Sequence, residues 1–205
     1  MVKEVGAYKR FAPVMEGAAL SVAAGAIKQL LVAIGEDHRR PGLLETPMRV
    51  SKAWAEWTAG YSQDPAEVLK TFEDGAEGVD EMVVQKDIEI YSHCEHHLAP
   101  FFGVAHIAYI PNGRIVGLSK LARLADVFAL RLQVQERITN QIADALVEHL
   151  NPIGVGVMIE AKHFCMCSRG IKKQGSSTIT SALRGAIKDQ PAARAEFLAY
   201  VTGKG

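Results

Sequence analysis

The sequence has no surplus of charge of either sign: 23 Lys and Arg stand against 23 Asp and Glu, for a formal net charge of zero. That balance argues against a general nucleic-acid or membrane-surface binder, since both usually carry an excess of cations. It also lacks a long hydrophobic run. No stretch approaches the ~18–20 apolar residues that a membrane span needs. The opening MVKEVGAYKRFAPVMEG has no apolar segment ahead of a small-residue cleavage site, which argues against a secretory signal. Cysteine is scarce. Three in 205 residues, an odd number without framework spacing, exclude a disulfide scaffold and suit a reducing cytoplasm, where thiols serve metal or redox chemistry. Neither a fixed-period repeat nor a low-complexity tract is present. What remains is 48% hydrophobic and 22% charged, enough apolar material to bury a core without staples.

From Glu16 to Ile34 the apolar residues Leu20, Ala23, Ile27, Leu30, Leu31 and Ile34 recur at helical spacing, and Gly35 follows as a C-cap. The polar stretch 36–42 reads as a loop. Thr46-Pro47 reads as an N-cap with proline behind it, opening a helix through Val50, Trp54 and Trp57 that stops near Gly60. Residues 72–80, dense in glycine and acid, read as a hinge. Beyond it, 82–91 and 103–110 alternate as strands and 115–117 forms a shorter one. Ser119 is the expected N-cap of a helix to about Leu130, and a second helix runs from Gln135 to Leu150, where Asn151-Pro152 stops it. Strands at 153–162 and 176–184 and a helix near 190–200 complete the chain. The order is α+β: an N-terminal helical extension over 1–75, a core over 76–188, and a C-terminal helix and tail over 189–205.

Chemistry concentrates in two places. Ser92-His93-Cys94-Glu95-His96-His97 holds three of the seven histidines, and Cys94 with His97 has the C-x-x-H spacing that brings a thiolate and an imidazole to one metal. Some seventy residues on comes His163-Phe164-Cys165-Met166-Cys167. If that segment stays extended, positions 163, 165 and 167 share a face. One such residue alone reads as a buried thiol or a stray polar group; two clusters need a partner to justify their desolvation. A Cys94–Cys165 disulfide is disfavoured by the compartment. A structural zinc site needs a fourth ligand, which Cys167 or His96 could supply; with three ligands the fourth position stays open to water, as in catalytic zinc sites.

The acids are unevenly placed. None lies between Glu95 and Asp126, or between Glu160 and Asp189, and these gaps hold Arg114, Lys120, Arg123, Lys162, Arg169, Lys172, Lys173 and Arg184. Ser119-Lys120-x-x-Arg123 opens a helix, where backbone N–H groups and the dipole already favour an anion. Arg49 and Lys52 repeat the spacing early in the second helix. So many cations point to a polyphosphate. Glu136, beside Gln135, is ordinarily a helix-dipole partner, but in a pocket a carboxylate accepts two N–H groups from a flat heterocycle such as the guanine edge.

Taken in order, Thr46-Pro47-Met48-Arg49-Val50, Ser92 to Phe101, Gly117 to Arg123, Gln133 to Arg137, and His163-Phe164-Cys165-Met166 with Arg169-Gly170 resemble the motifs of GTP cyclohydrolase I. The resemblance runs over roughly residues 16 to 188. It implies a tunnelling fold, an antiparallel sheet with two helices on one face, assembled as a homodecamer of two pentameric rings with active sites at subunit interfaces. It implies conversion of GTP and water to formate and 7,8-dihydroneopterin triphosphate with Zn2+ as cofactor, and neither nucleic acid nor membrane as partner. Carried over, Cys94, His97 and Cys165 are zinc ligands, and His96 and His163 are proton-transfer groups, with Ser119 assisting near the sugar. Gln135 and Glu136 match the guanine-recognising pair. Ser119, Lys120, Arg123 and Arg169, with Arg49 and Lys52 from a neighbouring subunit, match the triphosphate contacts. A rival on the same fold, a nitrile-reducing oxidoreductase with a cysteine nucleophile, would need a nicotinamide site that nothing in the sequence suggests.

Overall fold

The structure is a computed structural model that describes residues 15–73, 76 and 78–203. These residues divide into two compact units, one ending at Ser62 and one beginning at Gln63. The expected hinge at 72–80 lies partly outside the described residues, as do the ends of the expected N-terminal extension and C-terminal tail.

The first unit pairs α1 (Ala18–Ala33) with α2 (Thr46–Trp57), joined through a 3-10 turn at Pro41–Leu43 and followed by another at Ala59–Ser62. Helix α2 starts one residue earlier than expected. Glu45 occupies the cap position without a side-chain cap bond, so Thr46 is already helical and Pro47 sits in the first turn, where its missing N–H costs nothing. Ser51, fully buried, donates to the Pro47 carbonyl at 2.8 Å. Helix α1 leaves Val22, Leu30 and Val32 exposed, as is its cap residue Ile34.

The second unit opens with the short α3 (Pro65–Val68), capped by the Asp64 carboxylate accepting from the Ala66 N–H at 3.0 Å. Then come β1 (Thr71–Phe72), β2 (Val83–Cys94), β3 (Pro100–Ile110), β4 (Ile115–Val116), α4 (Leu118–Ala129), β5 (Leu132–Gln133), α5 (Gln135–Leu150) and β6 (Gly154–His163). The chain continues through α6 (Phe164–Cys167), β7 (Thr178–Gly185), α7 (Ala186–Asp189) and α8 (Pro191–Thr202). Strands β1 and β4 make a two-stranded ribbon; the main sheet has the order β5-β2-β3-β6-β7, antiparallel except for β5, which runs parallel to β2.

Helices α4 and α5 pack on this sheet and on each other. Leu121, Leu124, Ala125 and Phe128 recur at helical spacing in α4 and are wholly buried, as are Ile138, Ile142, Ala145 and Leu146 in α5. Each large side chain among them contributes roughly 1.5–3 kcal/mol of burial free energy. Helix α5 ends at Asn151, which takes the left-handed conformation (φ 51°) that asparagine tolerates. Helix α4 departs from expectation: extended Gly117 is its cap residue and Lys120 N–H closes the first turn on the Gly117 carbonyl, so Ser119 lies inside the helix. On the other side of the sheet's far end, Ala108, Ile187, Phe197 and Val201 form a second cluster. A side chain at Gly156 would meet the Phe197 ring at 2.9 Å, so α8 reaches the sheet only over a glycine.

Candidate active site

Strand register brings the two chemical clusters together. Ser92 pairs with Phe101 across β2 and β3, and Phe101 pairs with His163 across β3 and β6, so the C-terminal ends of β2 and β6 lie at the same end of the sheet, on either side of the start of β3. Between β2 and β3 the chain turns tightly: Cys94 N–H donates to the Ala99 carbonyl at 2.8 Å and Leu98 N–H to the Cys94 carbonyl at 2.8 Å, with Leu98 left-handed at φ 53°. Glu95 anchors this turn. Its N–H donates to the Gln133 carbonyl of β5, and its carboxylate accepts a two-pronged bond from Arg137 of α5 at 2.5 and 3.0 Å. That guanidinium holds the Glu95 carboxyl below the usual carboxylate range.

After His163 the chain does not stay extended. It winds into α6, so the alternation expected for 163, 165 and 167 fails: Phe-Cys-Met-Cys makes one helical turn, and Ser168 N–H closes it on the Phe164 carbonyl at 2.9 Å. The turn delivers Cys165 to the β2–β3 loop. Cys94 Sγ, a His97 ring nitrogen and Cys165 Sγ lie within 4.8 Å of one another, and Cys94 Sγ is 3.7 Å from His97 Nδ1. Donors around a tetrahedral zinc, with Zn–S about 2.3 Å and Zn–N about 2.0–2.1 Å, stand roughly 3.5–3.8 Å apart. The donor set therefore fits a thiophilic divalent ion with small closure. Burial pushes the Cys165 thiol up, and Cys94 beside it adds to the rise; a bound cation reverses that preference. Cys167 stays outside the group, its Sγ donating to the Lys173 carbonyl at 3.5 Å.

Two histidines flank this cluster. His96 is exposed, with Nδ1 3.9 Å from Cys94 Sγ and Nε2 3.8 Å from Glu95 Oε1. His163 is half-buried and lies flat on the Phe101 ring, at 4.5 Å between centroids and 11° between planes. Burial lowers its pKa from the ordinary imidazole value, against a weaker opposing pull from Glu136. Its Nε2 lies 2.7 Å from Gln135 Oε1. The neighbours Gln135 and Glu136 diverge: Gln135 is 1% exposed and fully bonded within the protein, whereas Glu136 is exposed.

The cations are less concentrated than the acid map suggests. Arg184 is paired with Asp144 at 2.8 Å and Arg114 with Glu73 at 3.2 Å, so each already has a carboxylate partner. Arg169, Lys172 and Lys173 are exposed on the segment after α6. Ser119, Lys120 and Arg123 sit at the N-terminal end of α4, whose C-terminal end leads into β5 beside Cys94. The rise of a helix puts Ser119 about 15 Å from Ala129. Within one chain, the fold separates this cluster from the thiol–imidazole group. Arg49 and Lys52 lie on α2 of the first unit, with Arg49 paired to Glu45 one turn back.

The profile of the GTP cyclohydrolase I family matches residues 23–202. GTP cyclohydrolase 1 of Janthinobacterium sp. (strain Marseille) is 61% identical over 171 residues, covering 83% of this chain and 86% of that one. The chain belongs to the GTP cyclohydrolase I family. As a member it is a hydrolase. GTP cyclohydrolase 1 of Nitrosospira multiformis is 60% identical over 172 residues (84% and 90% of the two chains), and that of Corynebacterium glutamicum 58% over 184 (88% and 92%). The apo archaeosine synthase QueF-Like overlaps 51% of this chain and 93% of its own, at 17% identity and a TM-score of 0.43, too weak a likeness to assign a fold.

In this GTP cyclohydrolase I chain, three features of the site escape sequence reasoning. The Glu95–Arg137 fork spans 42 positions, a distance at which charge pairing leaves no periodic trace. Phe101 reads as a core aromatic, which it is, yet one face supports His163. Thr180 of β7 reaches Gln135 and Thr139 of α5 across 45 and 41 positions, and only the fold makes it their neighbour.

Proposed function

We propose that the chain converts GTP and water to formate and 7,8-dihydroneopterin triphosphate, a first step toward folate and other pterins, in the cytoplasm and with Zn2+ as resident cofactor. The convergence of Cys94, His97 and Cys165 donors within 4.8 Å, between two histidines, carries this reading. When bound there, zinc supplies Lewis acidity that makes water available as a nucleophile near neutral pH.

The chain's own residues hold the purine and move protons. Hydration of C8 breaks the aromaticity of the five-membered ring and requires a proton at N7. His163, kept partly neutral by burial, is the group that exchanges it. His96, exposed at the rim, serves ring opening and release of C8 as formate. Ribose opening, rearrangement and closure onto the freed amine then follow, with Ser119 near the sugar. Exposed Glu136 accepts N–H groups of the guanine edge. Lys120, Arg123 and Arg169 with the Ser119 hydroxyl, joined by Arg49 and Lys52 of a neighbouring subunit, hold the triphosphate, so that the base is held in place for reaction.

We read the sheet with α4 and α5 as a tunnelling fold and the enzyme as a decamer of two pentameric rings. The separation of Ser119 from Cys94 along α4 supports active sites completed by another subunit. So do the exposed apolar residues: Tyr91, Phe102 and Ile179 on the open sheet face, and Val22, Leu30 and Val32 of α1 with Ile34 just beyond it. Incubation with GTP, reading formate release alongside pterin fluorescence after oxidation, tests the activity. Equal yields of both products are expected; formate without a pterin, or neither, refutes it.

A further inference from the structure

Gln135 and Glu136 stand together in the sequence, but the fold gives their side chains different partners. The Gln135 amide nitrogen faces the Ile159 carbonyl at 3.0 Å, the Thr178 carbonyl at 2.9 Å and Thr180 Oγ1 at 3.1 Å. Backbone carbonyls only accept, so the edge turned toward them must be the NH2 group. The threonine pair agrees. Thr139 Oγ1 donates to the Gln135 carbonyl at 2.9 Å, which uses its single proton. The 2.6 Å bond between Thr139 and Thr180 is therefore donated by Thr180, leaving Thr180 Oγ1 as an acceptor for the amide.

With NH2 so placed, Oε1 points at His163 Nε2, 2.7 Å away. An amide oxygen only accepts. His163 Nε2 must carry the hydrogen, and the neutral imidazole is the Nε2–H tautomer with its lone pair on Nδ1. Among the described residues no protein group is bonded to Nδ1, while Phe101 beneath the ring fixes its plane. Gln135 itself, 1% exposed, has no surface left to offer a nucleotide.

We infer that Gln135 is a positioning residue for His163 and not a contact of the guanine base: its locked carboxamide holds the Nε2–H tautomer and makes Nδ1 the atom that exchanges protons with substrate. Recognition of the base edge then falls to Glu136. The inference rests on reading His163 as the proton-transfer group, and the experiments separate the two.

Solid-state NMR of the zinc-loaded enzyme with 15N-labelled histidine reads the tautomer directly, the His163 signals being those absent from His163→Ala. Protonated Nε2 and unprotonated Nδ1 are expected for the neutral ring; the opposite pattern overturns the inference. Gln135→Met keeps volume and removes both hydrogen-bonding groups. It is expected to lower kcat about 10–100-fold, as loss of a partner that orients a functional histidine does, with KM for GTP within about twofold, and to give His163 a mixture of tautomers. Glu136→Gln is expected to do the reverse, raising KM. A Gln135→Met enzyme whose KM rises as much as that of Glu136→Gln, with kcat kept, overturns the inference in favour of base contact. If His163→Ala keeps full turnover, the proton-transfer reading fails, and with it the kinetic part of the inference, whatever the tautomer.

Discussion

The two ends of α4 contrast sharply. At its C-terminal end, β5 lies beside Cys94, and a thiol pair, three imidazoles, a carboxamide and a carboxylate–guanidinium fork are tied into one hydrogen-bonded neighbourhood by a single chain. At its N-terminal end, Ser119, Lys120 and Arg123 form no comparable network among the described residues; Ser119 and Arg123 are exposed. Groups that must hold an atom to within a fraction of an ångström are built by one polypeptide and braced from behind. Groups that neutralise charge stand on an open surface, and on the proposed reading the rest of their site comes from another copy.

The largest expected effect is at the braced end. Cys165→Ala removes one of three donors, and turnover of GTP is expected to vanish together with bound zinc, measured by metal analysis on the same sample; full zinc content with lost activity would show that Cys165 is not a ligand. The sharpest test of the contrast is to co-assemble Cys165→Ala with Arg123→Ala and assay at GTP well below the unmutated enzyme's KM, where each is impaired alone. Mixed oligomers should regain a substantial fraction of activity, because some sites then draw an intact metal centre and an intact cation cluster from different chains. No recovery after verified subunit exchange would mean that both halves of a site come from one chain.

Next in size is the brace. Arg137→Ala frees Glu95 and loosens the turn that carries Cys94 and His97, and zinc affinity is expected to fall about 10–100-fold in chelator competition. An unchanged affinity would show that the turn is held by its backbone bonds alone. Smaller again, Arg123→Ala should raise KM for GTP about tenfold with kcat little changed, the mark of uniform binding, and the penalty should shrink as salt screens the remaining cations.

The smallest effect lies away from both regions. His106 is buried, its Nδ1 accepting the Asp87 N–H at 3.2 Å where β2 bulges. Burial lowers its pKa from 6.5; Lys86 reinforces this, and Asp87 and Glu160 oppose it. The unfolded chain therefore takes up this proton first. Its contribution to stability is intact above about pH 6.5 and falls as pH drops below that value toward the folded pKa. Thermal unfolding should show this decline, and His106→Asn, which keeps an acceptor but cannot titrate, should flatten it.

Legibility follows the same division. Helix α5 could be read from residue 135 to 150 because five apolar residues keep helical spacing and Asn151-Pro152 ends the run. The long strands could be read for a similar reason, although β2 and β3 continue beyond their expected ends into the site. Helix α6 could not be read: four residues of apolar and thiol character fit either period, and only the departure from β6 decides. Strand β5, two residues long and parallel to a distant partner, leaves no signal at all. Cys94 and His97 could be read as metal candidates from residue type and spacing, whereas the choice of Cys165 over Cys167 came only with the resemblance to the family. The side-chain partners of Gln135 could not be read, because His163, Thr178 and Thr180 lie 28, 43 and 45 positions away.

The claim beneath these differences is that two thiolates and one imidazole of a single chain share one zinc, with Cys167 left on the Lys173 carbonyl. Zinc K-edge absorption of the metal-loaded enzyme tests it most directly. The account predicts two sulfur neighbours at about 2.3 Å and two nitrogen or oxygen neighbours at about 2.0–2.1 Å, one of the latter exchanging when substrate binds. Three sulfur neighbours, or a protein nitrogen permanently in the fourth place, would contradict it.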